Sequence, residues 1–417
     1  MKLWQKVIIG LALGILFGYF MNAHGPLGYD GKAFTGAYLL PVGNAFVDLI
    51  KMIVVPLVFF SLIAGVTGLT DEGALRRVGV KSVLSFLSVS AFAVVIGLSF
   101  ATVFAPGMGV HLDELMKSTS EKAPVAAPYN LARLLGEVVP DNFLKALSNN
   151  DHMLQVVAIS IFTALMIHAA GEGARIIREF CAAASKVIFR MIEAIMSLSP
   201  YAVFCLIAPT VSAQGLDILR YIAGLLLTVA FALTAQYLWF GLLVWGIGRM
   251  SPLPFYRKMI EVQSVAFSVR SCKATLPTAM RALGERMGVS ASSTSFVLPL
   301  GVSMNMAGSA IYLGICSLFV AQAYGVHFRP EQYLVLVVMG TLGSIGGAGI
   351  PGGSVLMMGM VFASVGLPLG PIALILAIDP AVDMFRTIIN ITGGSMVTLL
   401  VDKSEGTLNE SVYRAAI

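Results

Sequence analysis

Apolar sequence recurs in eight runs, at about 4–22, 39–70, 79–105, 152–170, 187–213, 217–248, 291–324 and 371–402, and most lysines and arginines stand at their ends. A helix needs about 20 apolar residues to cross the hydrocarbon core of a bilayer, so each run is long enough to span one. Several are longer, which predicts tilted, kinked or broken helices. The chain is 57% hydrophobic and 12% charged, whereas a soluble domain carries about 25% charged residues. These features predict an all-α polytopic membrane protein with eight transmembrane helices and little soluble mass. The first run is too long for a signal-peptide core and no small-residue cleavage site follows it, so it is expected to be retained.

Basic residues concentrate on the cytoplasmic side of a membrane, and here they set an orientation. Lys2 and Lys6 place the N-terminus inside. Arg76, Arg77 and Lys81 lie two spans later; Arg175, Arg178, Lys186 and Arg190 follow the fourth span; Arg249, Arg257 and Lys258 follow the sixth; Lys403 and Arg414 close the chain. An even number of spans with both termini cytoplasmic fits this pattern, in the cytoplasmic (inner) membrane. The net charge of +5 is accounted for by these anchors, so the expected partner is the lipid bilayer and not nucleic acid. The stretch 106–151, with Asp113, Glu114, Lys117, Glu121 and Lys122, reads as an exposed loop with short helices. Asp48 and Lys51, three apart, read as a neutralising or water-facing pair. Cys181, Cys205, Cys272 and Cys316 have no metal-ligand spacing and read as small buried hydrophobes, with Cys272 set apart by its polar neighbours. His24, His111, His152, His168 and His327 fall at loops or span ends and are expected at the surface. No cofactor is expected.

Two segments do not behave as spans. In the first, about 254–285, apolar sequence gives way to the polar tip of SVAFSVRSCKATLPTAM and then to Pro277. In the second, about 330–370, GTLGSIGGAGIPGGSVLMMG carries a Gly- and Ser-rich tip and Pro351 between apolar arms. Gly is costly inside a helix and Pro breaks it, so each segment reads as two half-helices meeting at a non-helical tip. Irregular backbone at membrane depth must be buried in protein or line a cavity. The first hairpin enters from the cytoplasm, the second from outside, and each is followed by a long span. Two oppositely oriented re-entrant hairpins of this kind are the inverted-repeat pattern of secondary transporters.

Within the last run Asp379, Asp383, Arg386 and Asn390 recur at spacings of four, three and four. At about 100° per residue all four lie within about 60° of helix surface. A charge at the bilayer centre costs on the order of 2.5–3.5 kcal/mol even on lenient scales. The stripe therefore reads as a binding site for a small zwitterion or anion, although Asp383 and Arg386 can also form a structural ion pair. Four segments are expected to converge on it: the tip Arg270, Ser271, Cys272 and Lys273; the polar interruption SMNMAGS at 303–309; the Gly-rich tip at 344–354; and the stripe. Half-helix N-termini present unpaired N–H groups that suit a carboxylate. Arg386 offers a planar fork to a carboxylate, and Asp383, one turn away, suits an ammonium. Together they fit an α-amino acid with a second carboxylate. Gly349, Gly352 and Gly353 allow close backbone approach and hinge-like motion.

These motifs resemble those of the glutamate transporter family, the dicarboxylate/amino acid:cation symporters, over essentially the whole chain. SMNMAGSA resembles the family's NMDGT signature, SIGGAGIPGG its second-hairpin tip, DMFRTIINITGG its last-helix motif, and VRSCKATLP its serine-rich first hairpin. The resemblance implies a homotrimer in which 1–78 and 106–214 form a static scaffold. The segments 79–105 and 215–417 would form a transport domain that moves like an elevator. It implies that Arg386 holds the substrate side-chain carboxylate, Asp383 the amino group, and Thr387 and Asn390 further contacts. Ser309 matches a threonine at the side-chain carboxylate, and Ser271 and Cys272 match first-hairpin serines at the α-carboxylate. Ile350 with the backbone of Gly349 and Gly353 matches the extracellular gate, and Arg270 an arginine near Asp379 or Asp383. Dicarboxylate-selective relatives lack the Asp at the 383 position and neutral amino acid relatives lack the Arg at the 386 position. Having both favours aspartate or glutamate.

The chain departs from the family where sodium would bind. Sodium-coupled members carry Asp where this chain has Ala307, Asp where it has Gly394, and Thr where it has Gly347. Their Tyr-x-x-Thr-Ser reads here as Phe86-x-x-Val89-Ser90. Asn305, Ser303 and backbone carbonyls remain, but two carboxylates are missing. This predicts sodium-independent, proton-coupled symport, with Asp379 or Asp383 as carriers, since Leu313 or a neighbour stands where the family's proton-carrying Glu would be. Lys273 replaces a family serine. It reads as a fixed cation paired with Asp379 or the substrate, as a proton carrier, or as a side chain reaching cytoplasmic water. As a built-in cation it would allow uncoupled uniport or exchange of acidic amino acids or dicarboxylates. An anion channel is disfavoured by the two-hairpin site. An intramembrane enzyme is disfavoured too: the two Asp residues share one helix, and no Ser/His or metal set accompanies them.

Overall fold

The computed structural model describes residues 3–23, 31–67, 74–110, 139–148, 153–214, 217–346 and 353–415, and their regular elements are all helical. In chain order these are α1 (Leu3–Ala23), α2 (Gly31–Tyr38), α3 (Leu40–Thr67), α4 (Ala74–Phe104), α5 (Phe143–Leu147), α6 (Met153–Ala169), α7 (Arg175–Ser197), α8 (Ser199–Gln214) and α9 (Asp217–Gly246). Then come α10 (Pro252–Val269), α11 (Cys272–Arg281), α12 (Ala291–Met304), α13 (Ala307–Ala323), α14 (Pro330–Gly346), α15 (Gly353–Ser364), α16 (Ile372–Ser404) and α17 (Glu410–Arg414).

Among the described residues, four stretches are long and apolar enough to cross a membrane: Arg77–Phe104, Arg220–Gly246, Ala291–Ala323 and Ala381–Ser404. Shorter apolar stretches are Ile9–Asn22, Val55–Ala64, Ala158–Ala169 and Pro200–Pro209. One stretch falls in each of the eight apolar runs.

The run at 187–213 departs from expectation. It is broken at Leu198, between α7 and α8. Pro200 lacks an N–H and its ring clashes with the carbonyl four residues back, so α7 cannot run on, and Pro200 sits instead in the first turn of α8, where no N–H is needed. The basic cluster Arg175, Arg178, Lys186 and Arg190 lies along α7, beside exposed Ile176, Phe180 and Val187. Most of the 106–151 stretch lies outside the described residues, as do His24, His111 and His152. His168 and His327 are exposed, and the four cysteines are buried and unbridged. Asp48 is exposed.

Small residues let backbones approach closely where lipid gives no hydrophobic drive. On α1, a Cβ at Gly10 would stand 2.3 Å from the Pro200 carbonyl oxygen of α8. On α4, a Cβ at Gly97 would stand 2.5 Å from the Ile311 carbonyl oxygen of α13. α13 is the centre of the molecule: 307–321 is buried throughout, and α4, α9, α14, α15 and α16 pack around it.

In the first of the two segments two helices meet at a non-helical tip at Arg270 and Ser271, whereas Pro277, expected to break the helix, lies inside α11. Pro252 starts α10, and Arg270 ends it in the left-handed region at φ 57°. Ser271 then caps α11, its Oγ accepting from Ala274 N at 3.3 Å. The seventh run breaks at Asn305 and Met306, between α12 and α13. The second hairpin shows its two arms, α14 and α15, which pack together; its tip, with Gly347, Gly349 and Ile350, lies outside the described residues.

The chain end folds back on the first hairpin. Lys258 Nζ, buried, donates to the carbonyls of Arg286, Val412 and Tyr413 at 2.8, 2.9 and 2.8 Å. Tyr413 OH donates to Ser251 O at 2.7 Å, and Asn409 N to Gly288 O at 2.9 Å.

Candidate functional site

The site is built on α16, where the 3.6-residue period turns the predicted stripe inward. Asp379, Asp383, Arg386, Thr387 and Asn390 are all buried. Arg386 is the largest fully buried side chain among the described residues. Both hydrogens of its Nη2 are engaged, one by Asp379 Oδ1 at 2.6 Å and one by Asp383 Oδ1 at 3.0 Å. Its guanidinium lies over the ring of Tyr312 at 4.4 Å from the centroid, on α13. Nε and Nη1 are buried with no acceptor among the described residues. A buried donor left unpaired costs about 1–3 kcal/mol, and more when charged.

Arg270, at the first-hairpin tip, donates from Nε and Nη2 to Asp383 Oδ2 at 3.2 and 3.0 Å. Its partner is therefore Asp383, one of the two expected. Asp383 is held on both oxygens by arginines, so an incoming ammonium must compete with them. The two arginines and two aspartates balance in formal charge.

The polar interruption meets the stripe as expected. Gly308 N donates to Asn390 Oδ1 at 2.8 Å, so Asn390 caps the start of α13. Asn305 Nδ2 donates to Asn390 O at 3.3 Å, while Asn305 Oδ1 is buried without a partner among the described residues. Thr387 Oγ1 donates to Asp383 O at 2.8 Å along its own helix. Cys272, buried at the start of α11, points its Sγ at Thr387 O, 3.9 Å away. Ser309, on the first turn of α13, accepts from Ser354 Oγ at 2.7 Å. Lys273 is exposed on the first turn of α11. Gly353 begins α15.

At the expected sodium positions, Ala307 and Val89 are buried. Gly394 packs against Gly301, and the hydroxyl of Ser90 is buried without a partner among the described residues. Neutral oxygens remain there and carboxylates do not. The site also contains residues the sequence did not single out. Tyr312 sits three residues after Ser309, on the same face of α13, and that spacing was the available signal. Ser354 was named only as the end of a Gly-rich tip.

The model of the sodium:dicarboxylate symporter family matches residues 3–404. Among similar proteins, a proton/sodium-glutamate symport protein of Bacillus subtilis is 32% identical over 408 residues, covering 97% of this chain and 93% of that protein. A proton/glutamate-aspartate symporter of Escherichia coli is 32% identical over 416 residues, covering 96% and 92%. A C4-dicarboxylate transport protein of Azorhizobium caulinodans is 29% identical over 422 residues, covering 100% and 91%. The chain belongs to the sodium:dicarboxylate symporter family, a family of membrane transporters and not of enzymes.

Proposed function

We propose that this protein is a secondary active transporter of acidic amino acids, aspartate or glutamate, in the cytoplasmic membrane. The observation that carries the reading is Arg386, fully buried with two nitrogens unpartnered among the described residues, flanked by two aspartates and facing the first-hairpin tip. The substrate side-chain carboxylate takes Arg386 and Ser309. Its ammonium takes Asp383. Its α-carboxylate takes Ser271, Cys272 and the N-terminus of α11, with Thr387 and the Asn390 amide nitrogen alongside. Ile350, Gly349 and Gly353 cover it from the second hairpin. The named substrates of the Bacillus and Escherichia relatives are in keeping with this. Simple dicarboxylates, named for the Azorhizobium relative, would leave Asp383 without a cationic partner from the substrate.

Coupling follows from the charge balance. The four charges of the two arginines and two aspartates sum to zero and the substrate brings one net negative charge. A carboxylate that seats bidentately on Arg386 must take an Nη2 hydrogen from Asp379 or Asp383. A proton on the displaced aspartate keeps the site neutral, which supports proton symport. The missing carboxylates at Ala307 and Gly394 support independence from sodium. Lys273 as a built-in cation for uniport or exchange is less well supported, because it is exposed. Eight spans with cytoplasmic termini, two re-entrant hairpins, a homotrimer and elevator motion of 79–105 with 215–417 against the rest complete the reading.

Arg386→Lys keeps the charge and removes the fork. It is expected to reduce aspartate and glutamate binding at least about tenfold, an effect typical of losing a charge-assisted bidentate pair. Unchanged affinity in a well-folded variant contradicts the site assignment.

A further inference from the structure

We infer that Ser354 is a positioning residue for the substrate's second carboxylate, acting through Ser309; this rests on the reading of the site given above. Most hydroxyls buried in these helices bond back to their own helix: Thr387 to Asp383 O, Ser317 to Leu313 O, Thr398 to Gly394 O and Thr341 to Val337 O. Ser354 and Ser309 do not. They bond to each other across two helices at 2.7 Å, both on first turns and both 8% exposed.

A hydroxyl has one hydrogen and two lone pairs. Ser354 donates its hydrogen to Ser309 Oγ, so Ser309 must direct its own hydrogen elsewhere. The direction is set by its neighbours on α13. A Cβ at Gly308 would stand 2.8 Å from Arg386 O, so the backbone beside Ser309 touches that of Arg386. Tyr312, three residues on and on the same face, lies under the Arg386 guanidinium. The Ser309 hydrogen thus joins the Arg386 guanidinium, through one of its two open nitrogens, as a donor to one anionic group. A hydroxyl that accepts one bond while donating another is the stronger donor. Ser354 touches no substrate atom in this scheme; it aims and strengthens the Ser309 donor. The ligand class is an amino acid whose side chain ends in a carboxylate.

The test is equilibrium binding to the purified full-length protein of labelled aspartate and, by competition, of asparagine, whose amide replaces the second carboxylate. The variants are Ser354→Ala, Ser354→Thr, Ser309→Ala, the Ser354→Ala/Ser309→Ala double, and Arg386→Lys. Ser354→Ala is expected to weaken aspartate by about three- to tenfold, the worth of one neutral hydrogen bond. Asparagine changes less than aspartate, Ser354→Thr restores aspartate, and the double variant equals Ser309→Ala. The relay is overturned if Ser354→Ala leaves aspartate unchanged, weakens both ligands equally, or adds its full effect to Ser309→Ala. Arg386→Lys separates the two claims. If it binds aspartate like the parent, the carboxylate site itself is wrong. If it loses aspartate while Ser354→Ala does not, only the relay falls.

Discussion

At the residue scale, the site is a neutral quartet of two arginines and two aspartates held inside apolar helices. Removing one member of a buried pair leaves an uncompensated charge at a cost of about 3–5 kcal/mol, so each residue supports the others and, on the proposed reading, the substrate as well. Asp383 is the test of this double role. Asp383→Asn is expected to weaken aspartate by a larger factor than succinate, because only the amino acid has an ammonium for Asp383 to hold. Competition binding with the two ligands checks it, and equal losses would remove the proposed role. The stripe was legible in the sequence because charges in an apolar run cannot be accidental in energy. Tyr312 and Ser354 were not, since a ring and a hydroxyl in apolar sequence carry no such cost. Nor did spacing reveal that both Asp383 oxygens are taken by arginines, one of them 113 residues away in the chain.

At the element scale, two features lend themselves to measurement. Gly97 lets α4 lie against α13, and a Cβ there meets the Ile311 carbonyl oxygen at 2.5 Å. That neighbour is backbone and cannot rotate away. Gly97→Val is expected to lower stability by about 1–3 kcal/mol, the cost of overpacking, read as a lower melting temperature in detergent; an unchanged melt would show that the helices part freely. At the end of α16, Glu405 closes it onto Lys81 and Arg77 of α4. Lys81 first, then Arg77, holds its carboxyl below the usual glutamate range. A carboxyl with a depressed folded-state pKa adds stability above its unfolded pKa and loses it as pH falls through the folded value. Glu405→Gln should therefore melt below the parent at neutral pH, and the gap should close on acidification to about pH 3. A gap that persists there would mean the ion pairs are not its source. The first hairpin was legible because the polar residues Arg270, Ser271 and Lys273 interrupt an apolar segment. The break at Leu198 was not, because hydropathy is continuous across it and only the geometry of Pro200 divides it.

At the scale of the whole molecule, the packing falls into two groups of contacts. α1 lies on α8 and α3 on α6 and α7, whereas α4, α9, the two arms of the second hairpin and α16 gather around α13. The two groups also meet, α3 on α14 and α15 and α8 on α16, and the proposed division into scaffold and moving domain rests on the family resemblance. What the molecule does with the site depends on which ion drives it. Ala307 and Gly394 stand where sodium-coupled members carry carboxylates, the neutral oxygens of Asn305 and Ser90 lie buried without a partner among the described residues, and the proposed reading places the coupled proton in the quartet. The most direct measurement is uptake of labelled aspartate and glutamate into proteoliposomes, with an inward proton gradient in one set of vesicles and an inward sodium gradient in another. The account predicts accumulation with the proton gradient and none added by sodium. Accumulation that requires sodium would contradict it, and would show that the cation site survives without Asp at 307 and 394.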